Sequence, residues 1–479
     1  MHHYHVNLEK LAALRTELKP QQGRVVEKIT QRPGLVVAHG LGSGKTLSSI
    51  AAADRLNVPT TVLVPAALQE NYRKELVKHL GYVPPNIQVQ SIQKALLNKE
   101  PIPRKGLLIV DEAHRLREES SVSRDFVEKF PADKKLLLTA SPQYNHPADI
   151  SSLVNIAAKQ RLLPVNRKEF ENRYIQVEEK SPGILGRIFG AKAGEVPHLK
   201  NQAELRAIAD AWVDYHENPP EGFPSSSTEV HRVPMTGRQQ EVYETLMDEA
   251  PLWARLKVMS NLPPSKAEAR QLNAFLTGAR QASGSIGPYV RDIQQEEVVK
   301  NAVKVQHAYA LFKRENDRNP RHKAVIYSNY IESGLKPYEE LLKRDGVPYG
   351  VFTGEQKRAE RDEMVKKYNR NELKALLISS AGGEGLDLKG TRQLQILDPH
   401  WNNEKLRQVA GRAIRYQSHA HLPEEEQHVV IQKFMADPKP SLLQKIFMGG
   451  NTGVDEYLHT RAEEKDQLMQ EMRDVLRSK

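Results

Sequence analysis

Short apolar runs alternate with amphipathic stretches along the first 150 residues of the chain. The runs read "GLVVA", "TTVLVP", "GLLIVDEAH" and "KKLLLTASP". A short apolar run bounded by polar or glycine residues is typical of a strand that is buried on both faces. Alternation of such strands with helices predicts a parallel sheet that is covered by helices.

The same alternation returns in the second half, in "KAVIYS", "LKALLIS", "RQLQILD" and "EQHVVIQKFM". The residues between the two halves read as mostly helical, with one strand-like segment, "EVHRVPMT". The tail "VDEYLHTRAEEKDQLMQEMRDVLRS" has its apolar residues on one stripe, which predicts a long helix. We expect this helix to pack on the body of the protein; binding of a partner is the alternative.

These patterns predict an α/β protein with two parallel-sheet lobes, helical insertions and a C-terminal helix. The predicted segments are an N-terminal helix or tail (1–17), a first lobe (18–155), a helical insertion (156–228), the last strand of the first lobe (229–240), a helical linker region (241–300), a second lobe (301–440) and a C-terminal brace helix (441–479).

Charge and composition narrow the function classes. The 479 residues carry a formal net charge of +10, which favours polyanionic partners, nucleic acid first. Cysteine is absent, which excludes disulfides and thiolate metal sites and indicates a reducing, intracellular location. Neither a membrane-spanning apolar run nor the apolar core of a signal peptide is found, so we expect no membrane association.

The segment "AHGLGSGKTLSS" (residues 38–49) is the first candidate site. Its glycines allow backbone N–H groups to converge on one point, and the start of the following helix adds further donors. This predicts a phosphate-binding loop, formed by Gly42, Ser43, Gly44, Lys45 and Thr46. Lys45 would reach the outer phosphates, and Thr46 would bind Mg²⁺. A glycine-rich turn without a ligand is the alternative.

A pair of carboxylates ends the apolar run "GLLIVDEAH". Asp111 and Glu112 are therefore expected at the carboxyl edge of the sheet, where such sheets bind their ligands. Asp111 would hold Mg²⁺, and Glu112 would orient the water that attacks a phosphate. A surface pair at a strand end is the alternative.

Taken together, these motifs resemble superfamily 2 helicase-like ATPases. Asp111-Glu112-Ala113-His114 is similar to their DEAH box, and their loop form A-x-x-G-x-G-K-T tolerates His39 where the strict pattern has glycine. The order of motifs from residue 18 to 417 resembles the Snf2-like branch. By this resemblance, Gln22 in "LKPQQ" would read the adenine edge, and Gly385 and Asp387 in "LLISSAGGEGLDL" would contact the nucleotide.

The second half contributes an arginine motif, "QVAGRAIR". Gln408, Arg412 and Arg415 are spaced four and three residues apart, which predicts one face of a helix. The two arginines would reach the γ-phosphate bound by the first lobe. By resemblance, Gln408 would contact the γ-phosphate or the attacking water. A solvated surface helix is the alternative.

Beyond Arg415 the sequence "RYQSHAHLPEEEQ" departs from the Snf2 form. Together with the C-terminal helix it resembles DExH ATPases of large DNA viruses, of the poxvirus early transcription factor type. This resemblance suggests a viral or phage origin and a location in the host cell or the virion.

The predicted function is an ATP- and Mg²⁺-dependent motor, most closely a Snf2-like translocase on double-stranded DNA that holds the phosphate backbone and remodels bound complexes. One alternative is a helicase that separates DNA or RNA strands. Another is an ATP-gated transcription-factor subunit, with a polymerase or another protein as its partner. The sequence leaves the remodelling target, the polarity of movement and the oligomeric state open.

Overall fold

Two six-stranded parallel sheets organise the chain in the computed structural model. The structure describes residues 14–40, 43–97, 106–117, 121–140, 146–181, 187–188, 192–217, 222–380, 386–401, 403–415, 417–441 and 452–477. The first unit comprises Met1–Gln176, His198–Pro219 and Gln467–Lys479, and the second comprises Val177–Pro197 and Pro220–Asp466.

Fourteen strands are found in the described residues. They are β1 (Gly34–His39), β2 (Thr60–Leu63), β3 (Ile87–Gln90), β4 (Leu107–Val110), β5 (Lys134–Thr139), β6 (Ile175–Lys180), β7 (Gly194–Leu199), β8 (Val213–His216), β9 (Ser225–Pro234), β10 (Ala324–Ser328), β11 (Tyr349–Phe352), β12 (Ala375–Ser379), β13 (Gln393–Ile396) and β14 (His428–Asp437).

The longer α-helices of the described residues are distributed between and after these strands. They are α1 (Pro20–Gln31), α2 (Lys45–Leu56), α3 (Gln69–Leu80), α4 (Ile92–Leu97), α5 (Val122–Lys129), α6 (Ser151–Ala158), α7 (Arg167–Tyr174), α8 (Gln202–Trp212), α9 (Gly237–Asp248), α10 (Leu252–Met259), α11 (Lys266–Gly284), α12 (Gln295–Lys300), α13 (Val303–Arg318), α14 (Lys336–Arg344), α15 (Arg358–Asn369), α16 (Asn403–Ala413) and α17 (Val454–Leu476).

The sheet of the first unit has the strand order β3-β2-β4-β5-β1-β8, and all its pairings are parallel. Side chains alternate between its faces: Val36 and Ala38 join one buried cluster, and Leu35 and Val37 join the other. Both faces are covered, as the continuous apolar runs predict. Strand order places the ends of β1 and β4 on either side of β5 at the carboxyl edge.

The sheet of the second unit has the strand order β11-β12-β10-β13-β14-β9, again parallel throughout. Here too, alternate residues of the central strands supply two clusters, with Ile326 in one and Val325 in the other. A third cluster of this unit joins α9, α10 and α11 to the start of α17. The predicted fold class, two parallel-sheet lobes with helical insertions and a C-terminal helix, is confirmed.

One strand lies in a different sheet from the one predicted. Residues 229–240 were expected to contain the last strand of the first lobe, but β9 pairs in parallel with β14 over its whole length and closes the second sheet. The first sheet instead ends on β8, which pairs with β1. The hydrophobic pattern of a strand does not specify its partner, because sheet membership depends on tertiary packing.

The segment 156–228, expected to be a helical insertion, also differs from the prediction. It contains α7 and α8, but strands β6, β7 and β8 lie within it as well. β6 and β7 form a two-stranded sheet of their own. Among the helices in the described ranges, none is both long and apolar enough to cross a membrane.

Candidate nucleotide site

The predicted phosphate loop connects β1 to α2. Gly44 immediately precedes α2 in a left-handed conformation, with φ of 76°. This backbone conformation favours glycine, and a Cβ atom at Gly44 would lie 2.3 Å from Nε2 of Gln22, so a side chain there would displace the Gln22 amide. The hydroxyl of Ser43 is buried and makes no hydrogen bond within the described residues. Gly42 lies outside the described residues.

Lys45 lies at the first turn of α2 and reaches back over the loop. Its Nζ donates hydrogen bonds to the carbonyl oxygens of His39, at 2.9 Å, and Gly40, at 3.2 Å. Burial lowers the pKa of Lys45, whereas the charges of Glu112 and Asp111 raise it. The ammonium group is therefore held at the loop by carbonyl groups that the oxygens of a phosphate could replace.

The predicted carboxylates follow β4 at the same edge of the sheet. The backbone N–H of Asp111 donates to the carbonyl of Leu63 at 2.9 Å, and Oδ1 of Asp111 accepts from the backbone N–H of Glu112 at 2.9 Å. Glu112 has a left-handed φ of 51°, which turns the chain sharply into the short 3-10 helix Ala113–Leu116. Burial raises the pKa of Asp111, although the hydrogen bond from Glu112 and the charge of Lys45 oppose it.

His114 lies between Glu112 and the end of β5. Its Nδ1 is 3.3 Å from Oε2 of Glu112 and 3.5 Å from the hydroxyl of Thr139. Burial lowers the pKa of His114, and so do the charges of Arg117 and Arg115. The fourth residue of the D-E-A-H sequence thus connects the carboxylate of Glu112 to the threonine at the end of the neighbouring strand.

Gln22 contacts the phosphate loop through its side chain. Its Nε2 donates to the carbonyl of Ser43 at 3.1 Å, and its Oε1 accepts from the backbone N–H of Lys19 at 2.9 Å at the start of α1. Only 4% of Gln22 is exposed. A carboxamide has two N–H groups and two lone pairs, so these bonds still leave capacity to pair with an adenine edge. The adenine role of Gln22 stays a prediction.

The other predicted residues belong to the second unit. Arg415 Nη1 is 3.5 Å from Oδ1 of Asp387, and Arg415 Nε donates to the carbonyl of Gly411 at 3.1 Å. Gln408 and Arg412 are on α16, but their side chains lie outside the described residues, as does the whole of Gly385.

The helix expected to carry Gln408, Arg412 and Arg415 on one face is shorter than predicted. It ends at Ala413, so Arg415 lies beyond it rather than on its stripe. The reason is a local turn: the backbone N–H of Arg415 donates to the hydroxyl of Ser418, and the N–H of Ser418 donates to the carbonyl of Arg415. Such side-chain bonds to the backbone compete with helix continuation.

Helix α16 is held within the second unit by acidic residues of α17. Asn403 Nδ2, at the start of α16, donates to Oε1 of Glu463 at 3.1 Å and to Oδ2 of Asp466 at 2.7 Å. Arg407 forms an ion pair with Asp466 at 2.8 Å. The arginine motif therefore begins on a helix whose first turns are fixed by side-chain hydrogen bonds.

The sequence motifs did not predict one cluster beside the loop. Asp214, on β8, accepts hydrogen bonds from His39 and from Arg24 and forms an ion pair with Lys28. Asp214 is 175 residues from His39 along the chain, and "WVDYHE" resembles no motif that we could assign. The departure of His39 from the strict loop pattern was the only sequence signal.

The residue types at this site of the first unit are suited to binding a nucleotide together with Mg²⁺. Gly44 has the left-handed backbone that favours glycine, Ser43 has a buried hydroxyl with no hydrogen bond among the described residues, and the ammonium of Lys45 bonds the carbonyls at the start of the loop. Thr46 supplies a hydroxyl and Asp111 a carboxylate, both oxygen ligands of the kind that Mg²⁺ prefers.

Comparison with protein families matches two models to this chain. Residues 91–284 match the SNF2-related domain, and residues 303–417 match the helicase conserved C-terminal domain. The two matches cover the D-E-A-H carboxylates of the first unit and the Asp387 and Arg415 region of the second.

Among known proteins, the chain is 28% identical to a putative ATP-dependent RNA helicase of Acanthamoeba polyphaga mimivirus, with 94% of each chain covered. It is 25% identical to a termination factor NPH-I homolog of African swine fever virus, with 93% of this chain and 75% of that protein covered. Both relatives are viral.

Among solved structures, the SWI2/SNF2 ATPase core of Sulfolobus solfataricus in complex with double-stranded DNA is 15% identical. The alignment covers 97% of this chain and 98% of that one, with a TM-score of 0.35. Because both family models match, this chain belongs to the SNF2-related superfamily 2 helicases, as an ATP hydrolase of the helicase and translocase class and an ATP-dependent nucleic-acid motor.

Proposed function

We propose that this motor is a translocase on double-stranded DNA that uses ATP hydrolysis to remodel complexes bound to the duplex. One observation carries the proposal: the catalytic residue types are divided between two separate parallel-sheet units. Lys45, Asp111 and Glu112 belong to the first, and Asp387 and Arg415 belong to the second. A nucleotide that must contact both sets can couple its own hydrolysis to movement of one unit against the other.

In this mechanism, the loop and Lys45 bind the phosphates of ATP. Lys45 would exchange the carbonyl oxygens of His39 and Gly40 for phosphate oxygens. Glu112, next to the loop at the end of β4, would accept a hydrogen bond from the attacking water and polarise it. His114 would keep the carboxylate of Glu112 oriented, because its Nδ1 lies 3.3 Å from Oε2.

Thr46 and Asp111 would hold Mg²⁺, which neutralises phosphate charge when it is bound. Burial raises the pKa of Asp111 in the structure as it stands, and a cation bound there would favour the ionised carboxylate.

Arg412 and Arg415 would stabilise the charge that develops on the γ-phosphate. An arginine supplied in this way contributes about 10³–10⁵-fold to phosphoryl transfer. The ion pair of Arg415 with Asp387 is half-exposed, so exchange of the carboxylate for a phosphate costs little. The contacts of the second unit would thereby depend on whether the γ-phosphate is present.

The protein would bind nucleic acid through contacts with the phosphate backbone. The net charge of +10 supports this, and backbone contacts are independent of sequence and weaken with salt. A motor with such contacts steps along a duplex when its two halves close and open alternately around ATP.

A triplex-displacement assay beside a fork-unwinding assay tests the proposal. A translocase on duplex DNA removes a third strand in the presence of ATP and leaves a labelled fork paired. The matched control is Glu112→Gln, which should bind the duplex and displace nothing. Unwinding of the fork without triplex displacement would instead identify a strand-separating helicase.

A second candidate function is an ATP-dependent factor acting on transcription. It is favoured by the likeness to the African swine fever virus protein, which is named a termination factor homolog and is covered over 75% of its length. Release of transcripts from a stalled RNA polymerase, requiring ATP and lost in Glu112→Gln, would support it. Triplex displacement without any effect on the stalled complex would contradict it.

A further inference from the structure

An ion cluster with a buried carboxylate at its centre lies next to the phosphate loop, at the edge strand of the first sheet. Its centre is Asp214, whose side chain is fully buried. Oδ2 of Asp214 accepts from Nε of Arg24 at 2.8 Å and is 2.8 Å from Nζ of Lys28. Oδ1 accepts from Nη2 of Arg24 at 3.0 Å and from Nε2 of His39 at 2.7 Å.

Asp214 is an anion in this environment. Burial raises the pKa of Asp214, but the hydrogen bonds from His39, Arg24 and Lys28 outweigh burial and hold that pKa far below its usual range. A buried carboxylate is tolerated only where such partners satisfy it, and loss of one partner leaves the others unpaired. We call this cluster, with its buried carboxylate and its partly exposed Arg24 and Lys28, the junction.

The junction joins three elements that surround the loop. Arg24 and Lys28 are on α1, His39 ends β1, and Asp214 is on β8. The register of β8 places Ala38 opposite Tyr215 and Val37 opposite Asp214, next to the start of the loop.

Two connections tie the loop to α1. At the start of the loop, the His39 side chain bonds Asp214, while the His39 carbonyl accepts from Lys45 at 2.9 Å. At its end, the carbonyl of Ser43 accepts from Gln22, which is also on α1. A glycine in place of His39, as in the strict phosphate-loop pattern, could not make the first connection.

We propose that Asp214 and His39 are positioning residues that pre-form the nucleotide site of this enzyme. They fix the start of the phosphate loop to the helix that carries Gln22, so that His39 and Ser43, on either side of the loop, are already held when ATP arrives. Pre-organisation of this kind raises affinity because less conformational freedom is lost on binding. The inference rests on the proposed binding of ATP at this loop.

Kinetics separate this role from a catalytic one. Among the described residues, the hydrogen bonds and ion pairs of Asp214 are to Arg24, Lys28 and His39 and not to Glu112, so its loss should weaken ATP binding and spare the chemical step. For Asp214→Asn we expect KM for ATP to rise on the order of tenfold or more, because hydrogen bonds to charged groups are lost. We expect kcat at saturating ATP to stay within about threefold.

A pair of variants at His39 gives a second test that leaves the buried carboxylate in place. His39→Ala removes the donor, and His39→Gln can keep an N–H directed at Asp214. The rise in KM should be present in His39→Ala and largely rescued in His39→Gln. Glu204→Gln is the matched control, because Glu204 is an acid of the same unit whose bonds are to Arg173 and Tyr174.

The experiment measures ATP turnover and the affinity for a fluorescent ATP analogue on the full chain. The inference is supported by a KM effect in Asp214→Asn with rescue by His39→Gln. It is overturned if wild type, Asp214→Asn and His39→Ala bind the analogue equally, or if kcat falls in these two variants while KM is unchanged. A wild-type chain that binds the analogue but does not hydrolyse ATP would contradict the proposed function, and binding would still test the inference.

Discussion

Lys45 begins helix α2 and the carboxylates of Asp111 and Glu112 follow β4, far away in sequence, yet the charges of both carboxylates act on the pKa of Lys45. Their roles can be separated by chemistry. In the proposed mechanism, Lys45 and Thr46 act in binding, whereas Glu112 acts only when water attacks. At the residue scale, the account therefore predicts variants that bind ATP without hydrolysing it.

Glu112→Gln is the clearest of these variants. We expect ATP turnover to fall by about 10²–10⁴-fold, because an amide cannot accept the proton of the attacking water. The affinity for ATP should be retained, since the loop is intact. Steady-state turnover and binding of a labelled nucleotide measure the two effects. Glu169→Gln, at an exposed position of α7, is the control and should leave both unchanged.

Asp214 gives a pH dependence of stability. Its pKa is lower in the folded protein than the ordinary value of 3.8, so its contribution to stability is complete above that value and is lost as the pH falls below it. Asp214→Asn should lower the free energy of unfolding at pH 7, and the difference from wild type should shrink below about pH 4. Denaturant titrations of wild type and Asp214→Asn at pH 7 and below about pH 4 measure the two free energies of unfolding. A difference between the two proteins that is constant with pH would refute the prediction.

The sequence was informative for residues that carry local motifs and uninformative for partners that are distant along the chain. Lys45, Thr46, Asp111 and Glu112 could be placed at one sheet edge because strand-to-loop patterns are local. Asp214 could not, since its role depends on the pairing of β8 with β1 and on two cations of α1. Charge clusters of this kind are assembled by tertiary structure.

At the scale of elements, the prediction was right for features that depend on the hydrophobic periodicity of a segment. It was wrong for features that depend on which strands pair. The C-terminal stripe predicted a long helix, and α17 runs from Val454 to Leu476. The strand near 229–234 was predicted, but its sheet was not, because both sheets offer an edge to a parallel strand. The end of α16 was missed because Ser418 bonds the backbone of Arg415.

The last turns of α17 test its role in the core of the first unit. Leu468, Met472, Val475 and Leu476 belong to the cluster on one face of that sheet. Met472 is 2% exposed, so Met472→Ala should destabilise the first unit by about 2–5 kcal/mol. Gln467→Ala, an exposed change on the same helix, should cost less than about 0.5 kcal/mol.

Chemical denaturation of the two variants beside wild type measures the comparison. Equal stability of all three proteins would mean that α17 is not part of that core, and the alternative role as a partner-binding helix would gain support.

At the scale of the whole molecule, two units each carry an incomplete set of catalytic residue types. The first has the phosphate loop and the carboxylates, and the second has the arginine motif with Asp387. Neither set alone accounts for hydrolysis that responds to nucleic acid. The proposed mechanism therefore requires that residues of the second unit act on a nucleotide bound by the first.

ATP turnover of wild type and of Arg415→Ala, each with and without duplex DNA, tests this requirement most directly. We expect duplex DNA to stimulate wild type, and Arg415→Ala to lose about 10³-fold or more of the stimulated rate while still binding ATP. Wild-type turnover that is the same with and without duplex, or an Arg415→Ala enzyme as fast as wild type, would contradict the account.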